Sequence, residues 1–395
     1  MTETARQVDY VLIGVDGGAT EVKAHAVACD DPDDARSFEL RAEAASRKYE
    51  RVPGFQPVPL TGQLAQRDGG RTGLSAQEDE QGALWIDAAG EVVAEVVERC
   101  GVRRALVGMG MPGLKTPNGR GICVINNGPR VPDYLCRFER RLAEMGVELI
   151  APVARLGSDA DYCGLGEEHA AEGSFRGIDS AYYAGGGTGV ADAMKLRGRL
   201  VPFDQAKTWI LKSWQIPSAV GPTFEKLVSA QSLNECYFNL IGVGPQSDTA
   251  VPCPEVHAAE GRPLARTLLN TTAMMLAELL FERIDTTKNG RRAAPHRGPV
   301  YRQLDAEHEY RGTLLDRVVI GQRVGKIYAD PRFRAVFAEK VDAHLAAFLA
   351  ESGDRELVAR YLEGNSLRPG VVYPSRLRAA PALGAAVDAV QAWAR

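Results

Sequence analysis

Two short turns flank a carboxylate-bearing loop in this sequence, and their residue types suit phosphate chemistry. The first, Asp16-Gly17-Gly18-Ala19-Thr20 with Lys23 three residues on, interrupts "VLIGVDGGATEVKAHAV". The second, Gly185-Gly186-Gly187-Thr188-Gly189, interrupts "DSAYYAGGGTGVADAMKLRGRLV". Residues without side chains let backbone N–H groups approach phosphate oxygens, and Thr adds a hydroxyl donor. Either turn alone reads equally well as a hairpin in which Gly supplies positive φ. Two of them in equivalent places, with acids nearby, point to a phosphate-gripping pair. Between them "RLGSDADYCGLGEE" places Asp159 and Asp161 where a strand runs into a helix. Either Asp could be an N-cap. The chemical alternative is a general base, because an acceptor hydroxyl must lose its proton to attack a phosphoryl group.

Around these residues the chain alternates strands with helices, an α/β pattern. "ALWIDAAGEVVAEVVERCG" has helical spacing and stops at Gly101, and "RPLARTLLNTTAMMLAELLFERID" is the longest helix. "LLDRVVIGQRVGKI" is a buried strand entering a Gly-x-x-x-Gly turn. The strand–glycine turn–strand pattern recurs near residues 17 and 187, which predicts two related lobes. The expected division is 1–172 and 173–379, with a small-residue helix at 380–395 packing back on the first lobe. Residues 30–80 are charged and rich in Pro and Gly, and read as an insertion or partner-contacting arm.

Composition narrows the function. Across 395 residues the net charge is −4, unlike a general nucleic-acid binder, and no run of about 18 apolar residues predicts a membrane span. The N-terminus lacks the basic and apolar pattern of a secretory signal. Seven dispersed cysteines suit reduced thiols and a cytoplasmic enzyme. Cys253 and His257 offer two metal ligands, too few for a site.

In order and spacing, "IGVDGGATEVK", "GMGMPGLKTPNGRGICVINNGPRVPDY", "GSDADYCGLGEE", "YYAGGGTGVADAMKLRGRLV", "GPTFEKLVSAQSL", "VVIGQRVG" and "APALGAAVDAV" resemble the ROK family of repressors and sugar kinases. The resemblance covers nearly the whole chain except about 30–80 and 200–220. It implies a two-lobed actin/hexokinase-like, ribonuclease H-like fold whose interlobe cleft takes ATP, Mg²⁺ and a sugar-like acceptor. By position, it implies that Asp16 faces the Mg²⁺–phosphate group, and that Gly17, Gly18, Thr20 and Lys23 belong to the first phosphate motif. Ala19 replaces a glycine usual there. Gly187, Thr188 and Gly189 match the second phosphate motif, and Gly321 and Gly325 the turn lining adenosine. Asp159 matches the general base. Asn127, Ser158 and Glu225 match substrate-binding positions, with Ser158 standing where the family usually has Asn.

One departure bears on the acceptor. The Gly-Glu-x-Gly-His element and the Cys-rich zinc site of many family members are replaced by "VPFDQAKTWILKSWQIPSAVGPTFE", which has neither His nor Cys. No structural zinc is expected, and glucose is a poor substrate candidate because the groups that read its hydroxyls are missing. Asp204, Lys207, Trp209, Lys212 and Trp214 could build a different acceptor pocket, and a C7-cyclitol is one such acceptor. A homodimer is a further expectation. The competing reading is a non-catalytic sugar or cyclitol sensor on the same fold. The repressor branch places a helix-turn-helix before its first strand, and with the first strand expected about ten residues in, none is expected here. A dinucleotide fingerprint fails on spacing, since Val190 stands where G-x-G-x-x-G needs Gly.

Overall fold

The computed structural model describes residues 9–29, 38–70, 73–243, 253–291 and 297–394. They divide into two compact units, Met1–Gly173 with Ala379–Arg395, and Ser174–Arg378. No helix among the described residues is long and apolar enough to cross a membrane.

The first unit is built on a six-stranded sheet. Its strands are β1 (Val11–Gly17), β2 (Glu21–Cys29), β3 (Phe38–Lys48), β4 (Arg104–Met111), β7 (Glu148–Leu149) and β8 (Leu156–Ser158), with a small β5–β6 ribbon (Leu114–Lys115 and Ile122–Val124). The order is β3-β2-β1-β4-β7, with β8 also paired to β4. β1 pairs antiparallel with β2 and parallel with β4, the arrangement that a hairpin followed by a helical crossover produces. Helices α1 (Leu60–Asp68), α2 (Ala76–Arg99), α3 (Tyr134–Glu144) and α4 (Asp159–His169) complete this part of the chain. Helix α2 starts at Ser75, whose side chain accepts from Glu78 N–H, and it ends before Gly101, whose φ of 68° suits the left-handed turn after a helix.

The C-terminal helix Ala380–Trp393 packs on β1, β4 and α4 of this unit. Its small residues meet small residues. A Cβ on the neighbouring Gly14 or Gly108 would lie 1.8 Å from the carbonyl oxygen of Ala382 or Ala385, so only glycine lets the helix backbone lie on the sheet there.

The insertion expected over residues 30–80 does not hold in its middle. Phe38–Lys48 is an edge strand of the main sheet, running antiparallel to β2 from Phe38 opposite Cys29 to Lys48 opposite Glu21. The stretch looked polar because most of its residues are at least partly exposed, while Phe38 and Ala45 reach the core. Positions 30–37 and 71–72 lie outside the described residues.

The second unit repeats the topology. Its sheet runs β11-β10-β9-β12-β15, with β9 (Ala181–Gly186), β10 (Val190–Leu196), β11 (Arg199–Leu200), β12 (Arg317–Gly321) and β15 (Val372–Pro374). Strand β9 pairs antiparallel with β10 and parallel with β12, as β1 does with β2 and β4. A β13–β14 ribbon (Leu362–Glu363, Ser366–Leu367) lies apart. The helices are α5 (Phe203–Ala206), α6 (Glu225–Val228), α7 (Ala230–Leu240), α8 (Pro254–Ala259), α9 (Pro263–Asn289), α10 (Gly298–Arg302), α11 (Gln322–Ala329), α12 (Glu339–Glu351) and α13 (Arg355–Tyr361), which makes the C-terminal helix α14.

A buried ionic network ties α9 to β10 and to the chain after α5. The Arg283 guanidinium donates to Asp192 at 3.0 Å and to Glu282 at 2.9 Å. Asp192 also accepts from the Tyr182 hydroxyl at 2.6 Å, and from the Ser213 backbone and hydroxyl at 2.8 Å each. Removing one charge would strand the others in the core, a cost of about 3–5 kcal/mol. Arg283→Met is therefore expected to lower unfolding free energy by about that amount, read from a urea midpoint.

Candidate active site

In the first unit Asp16 and Asp159 lie towards one end of the sheet. Asp16 is the penultimate residue of β1, beside Gly110 of β4, which in turn pairs with Gly157 of β8. These two strand steps span about 10 Å, and both residues in the row are glycines. The space is taken by Tyr162, since a Cβ on Gly157 would lie 2.0 Å from its ring and one on Gly110 2.9 Å from it. Tyr162 stands one turn along α4 from Asp159, and its hydroxyl donates to Asp388 of α14 at 2.6 Å. The C-terminal helix thus braces the first turn of α4, where Asp159 stands.

The N-cap of α4 is Ser158, whose Oγ accepts from Asp161 N–H at 3.3 Å. Asp159 is the first helical residue and is partly exposed. Ser158, expected to bind substrate, therefore has a visible structural duty as well.

Asp16 carries the clearest electrostatic signal. Burial pushes its carboxyl up to about 7, Asp159 and Glu21 push the same way, and Lys23 opposes them. Some of its surface is still open to solvent, but protein atoms surround the carboxyl closely enough for desolvation to lead. Lys23 faces Asp16 across the hairpin and pairs with Glu21 at 2.6 Å. Two acids thus push the Asp16 carboxyl up against one opposing Lys, an arrangement that a cation or a proton relieves. Gly18 N–H donates to Glu21 carbonyl at 2.8 Å and closes the turn, leaving Thr20 exposed at its tip.

Asn127 is exposed in a turn with φ 61°, a left-handed conformation that Asn tolerates better than most residues. The chain on either side of it is tightly held. The carboxamide of buried Gln63 on α1 accepts from Ile125 N–H at 2.8 Å and donates to its carbonyl at 2.9 Å, as a neighbouring strand would. Arg130 makes a fully buried two-pronged pair with Glu78, at 2.8 and 2.7 Å. Neither Gln63 nor Glu78 was singled out from sequence, because both belong to the polar stretch read as an arm. Gln63→Ala is expected to leave both Ile125 groups unpaired and to cost about 1–3 kcal/mol. Gln63→Glu keeps the acceptor but turns a buried carboxylate towards the Ile125 and Val58 carbonyls, and should destabilise at least as much in urea unfolding.

In the second unit the glycine turn joins β9 to β10. Gly187 N–H donates to Gly189 carbonyl at 2.9 Å, and Gln231 N–H donates to Gly187 carbonyl at 3.1 Å. Thr188 is exposed at the tip. Glu225 packs on the turn, its carboxylate accepting from Val190 N–H at 3.1 Å. Gly321 ends β12 opposite Gly185, with the Tyr183 ring filling the space over both, and Gly325 lies on α11 over the Ile320 carbonyl. Unlike the hairpin expectation, none of Gly17, Gly18 and Gly185–Gly189 has positive φ. Most are glycine because neighbouring atoms occupy the position of a Cβ.

The 200–220 segment differs from expectation at Trp209. Its ring is buried and stacks on His308 at 4.0 Å, so it is core and cannot face an acceptor. Trp214 is 48% exposed, Lys207 is exposed, and Asp204 pairs with Lys212 at 3.5 Å. His257, which the sequence pairs with Cys253 as a two-ligand set, bonds the Tyr237 hydroxyl. No cluster of three or more metal-ligating side chains occurs among the described residues.

No protein-family model and no curated protein sequence matches the chain. Solved structures do. A ROK family glucokinase from Streptomyces griseus, in complex with glucose and AMPPNP, matches with a TM-score of 0.55 at 16% identity over 96% of this chain and 99% of its own. The ROK hexokinase from Thermus thermophilus gives 0.52 at 17%, over 97% and 99%. A ROK family transcriptional regulator, homologous to the E. coli MLC protein, gives 0.53 at 11%, over 98% of this chain and 79% of its own. The chain has the mixed α/β, actin/hexokinase-like fold on which ROK sugar kinases are built.

Proposed function

We propose that this protein transfers the γ-phosphoryl group of ATP to a hydroxyl of a sugar or sugar-like cyclitol. The observation that carries the reading is Asp159, a first-turn carboxylate relieved of capping duty by Ser158 and close enough to Asp16 to raise its pKa. Asp159 takes the proton of the acceptor hydroxyl as it attacks. The exposed Asn127 and the Ser158 hydroxyl orient the acceptor, with Glu225 a third candidate for that role. Asp16 and the 17–20 turn, with Lys23, hold the Mg²⁺ and phosphates in the first unit. Gly187, Thr188 and Gly189 hold phosphate, and Gly321 and Gly325 line adenosine, in the second. Mg²⁺ would supply charge neutralisation on the transferring group, and the acid neighbours of Asp16 fit that role.

A cyclitol or another non-glucose polyol is the proposed acceptor class, because the segment replacing the usual Glu and His element offers Asp204, Lys207, Lys212 and Trp214 instead. The sensor reading has one observation of its own, the regulator among the structural neighbours. ADP release from ATP–Mg²⁺ across hexoses, amino sugars, polyols and C7-cyclitols separates the two. Acceptor-dependent turnover supports the kinase. Ligand-raised melting temperatures with no turnover on any acceptor support the sensor.

A further inference from the structure

We infer that Gln322 is a positioning residue that props the second phosphate turn in its nucleotide-holding shape, an inference that rests on the kinase reading. Three non-glycine residues among those described have positive φ: Asn127, Arg197 and Gln322. Arg197 sits with Gly198 in the tight turn between β10 and β11, where such angles are ordinary. Gln322 has no such excuse. It follows Gly321 at the end of β12 and opens α11 with φ 56°, a conformation that a long unbranched side chain adopts at an energetic cost.

The strained backbone brings the carboxamide onto the turn. A Cβ on Gly187 would lie 2.2 Å from Gln322 Oε1. On the same turn, a Cβ on Gly186 would strike Val324 at 2.4 Å, and one on Gly189 would strike Glu225 at 2.7 Å. Three glycines are thus each covered by one side chain, two of them from the first turn of α11. The register agrees, since Gly321 lies opposite Gly185 and the chain leaves β12 level with the turn. Fixing the turn in advance spares the ordering cost when the ligand arrives. The strain at Gln322 is therefore spent on the shape of the turn, and Gly187 is glycine to admit Gln322.

The test is titration of AMPPNP–Mg²⁺ into the full chain by calorimetry, with melting temperatures alongside. Gln322→Gly relieves the backbone and removes the prop. It should bind about 10-fold more weakly, with a melting temperature equal to or above the parent. Gly187→Ala should also weaken binding, and the double variant Gly187→Ala/Gln322→Gly should recover part of that loss because the colliding atom is gone. Parent-like affinity in Gln322→Gly overturns the inference while leaving the kinase reading intact. So does a double variant no better than Gly187→Ala, which would mean that the methyl blocks the phosphate itself. A parent chain that does not bind AMPPNP overturns the inference and the nucleotide reading together.

Discussion

Asp159→Asn is expected to lower acceptor-dependent turnover by about 10²–10⁴-fold while leaving the fold intact. The amide is nearly the size of the carboxylate but cannot take a proton. Because Ser158 and not Asp159 caps α4, the substitution removes no helix-terminal hydrogen bond. Melting temperature should therefore stay within a degree or two of the parent, on the scale of surface changes. Affinity for AMPPNP–Mg²⁺ should be little changed, so the loss should fall on kcat. A variant that keeps parental turnover would remove Asp159 from the chemistry. One that unfolds would show that its role is structural.

Asp16→Asn should produce the opposite combination, a more stable protein with little activity. The folded carboxyl titrates near 7 against 3.8 for the ordinary side chain, chiefly through burial and then through repulsion from Asp159. Between those values the unfolded chain has lost the proton that the folded chain keeps, so stability falls as pH rises through this window. Asparagine has no charge to bury. The variant should gain about 2–4 kcal/mol over the parent above pH 7, less where solvent screens the group, and the gain should vanish towards pH 4. Thermal melts of both proteins from pH 4 to 8.5 measure this. Adding ATP–Mg²⁺ at pH 8 should stabilise the parent and not the variant, because the cation meets the charge that asparagine lacks. Equal pH dependence in the two proteins would refute the burial of charge at Asp16.

The local patterns of this sequence determined much of what the structure contains. Hydrophobic alternation broken by glycine marked both hairpins, and the helical spacing of α2 and α9 was plain, because periodicity and turn chemistry act over a few residues. The pairing of carboxylate and turn in the first unit was legible for the same reason: Asp16 is joined covalently to its turn, and Asp159 to its strand end. Tertiary structure alone decided what the neighbours of those residues do. Gly14 and Gly108 admit α14 from about 370 and 280 residues away, and Gly187 admits Gln322, so their lack of a side chain answers contacts distant in sequence, not a positive φ. Trp209 became core through His308, about 100 residues on. Phe38–Lys48 read as an arm because an edge strand with mostly exposed residues carries little hydrophobic signal, and only its ladder to β2 makes it part of the sheet. Gln63 and Glu78 lie in the charged stretch read as an arm, and only the fold supplies their partners Ile125 and Arg130, since a polar group's partner, unlike its polarity, is set by the fold.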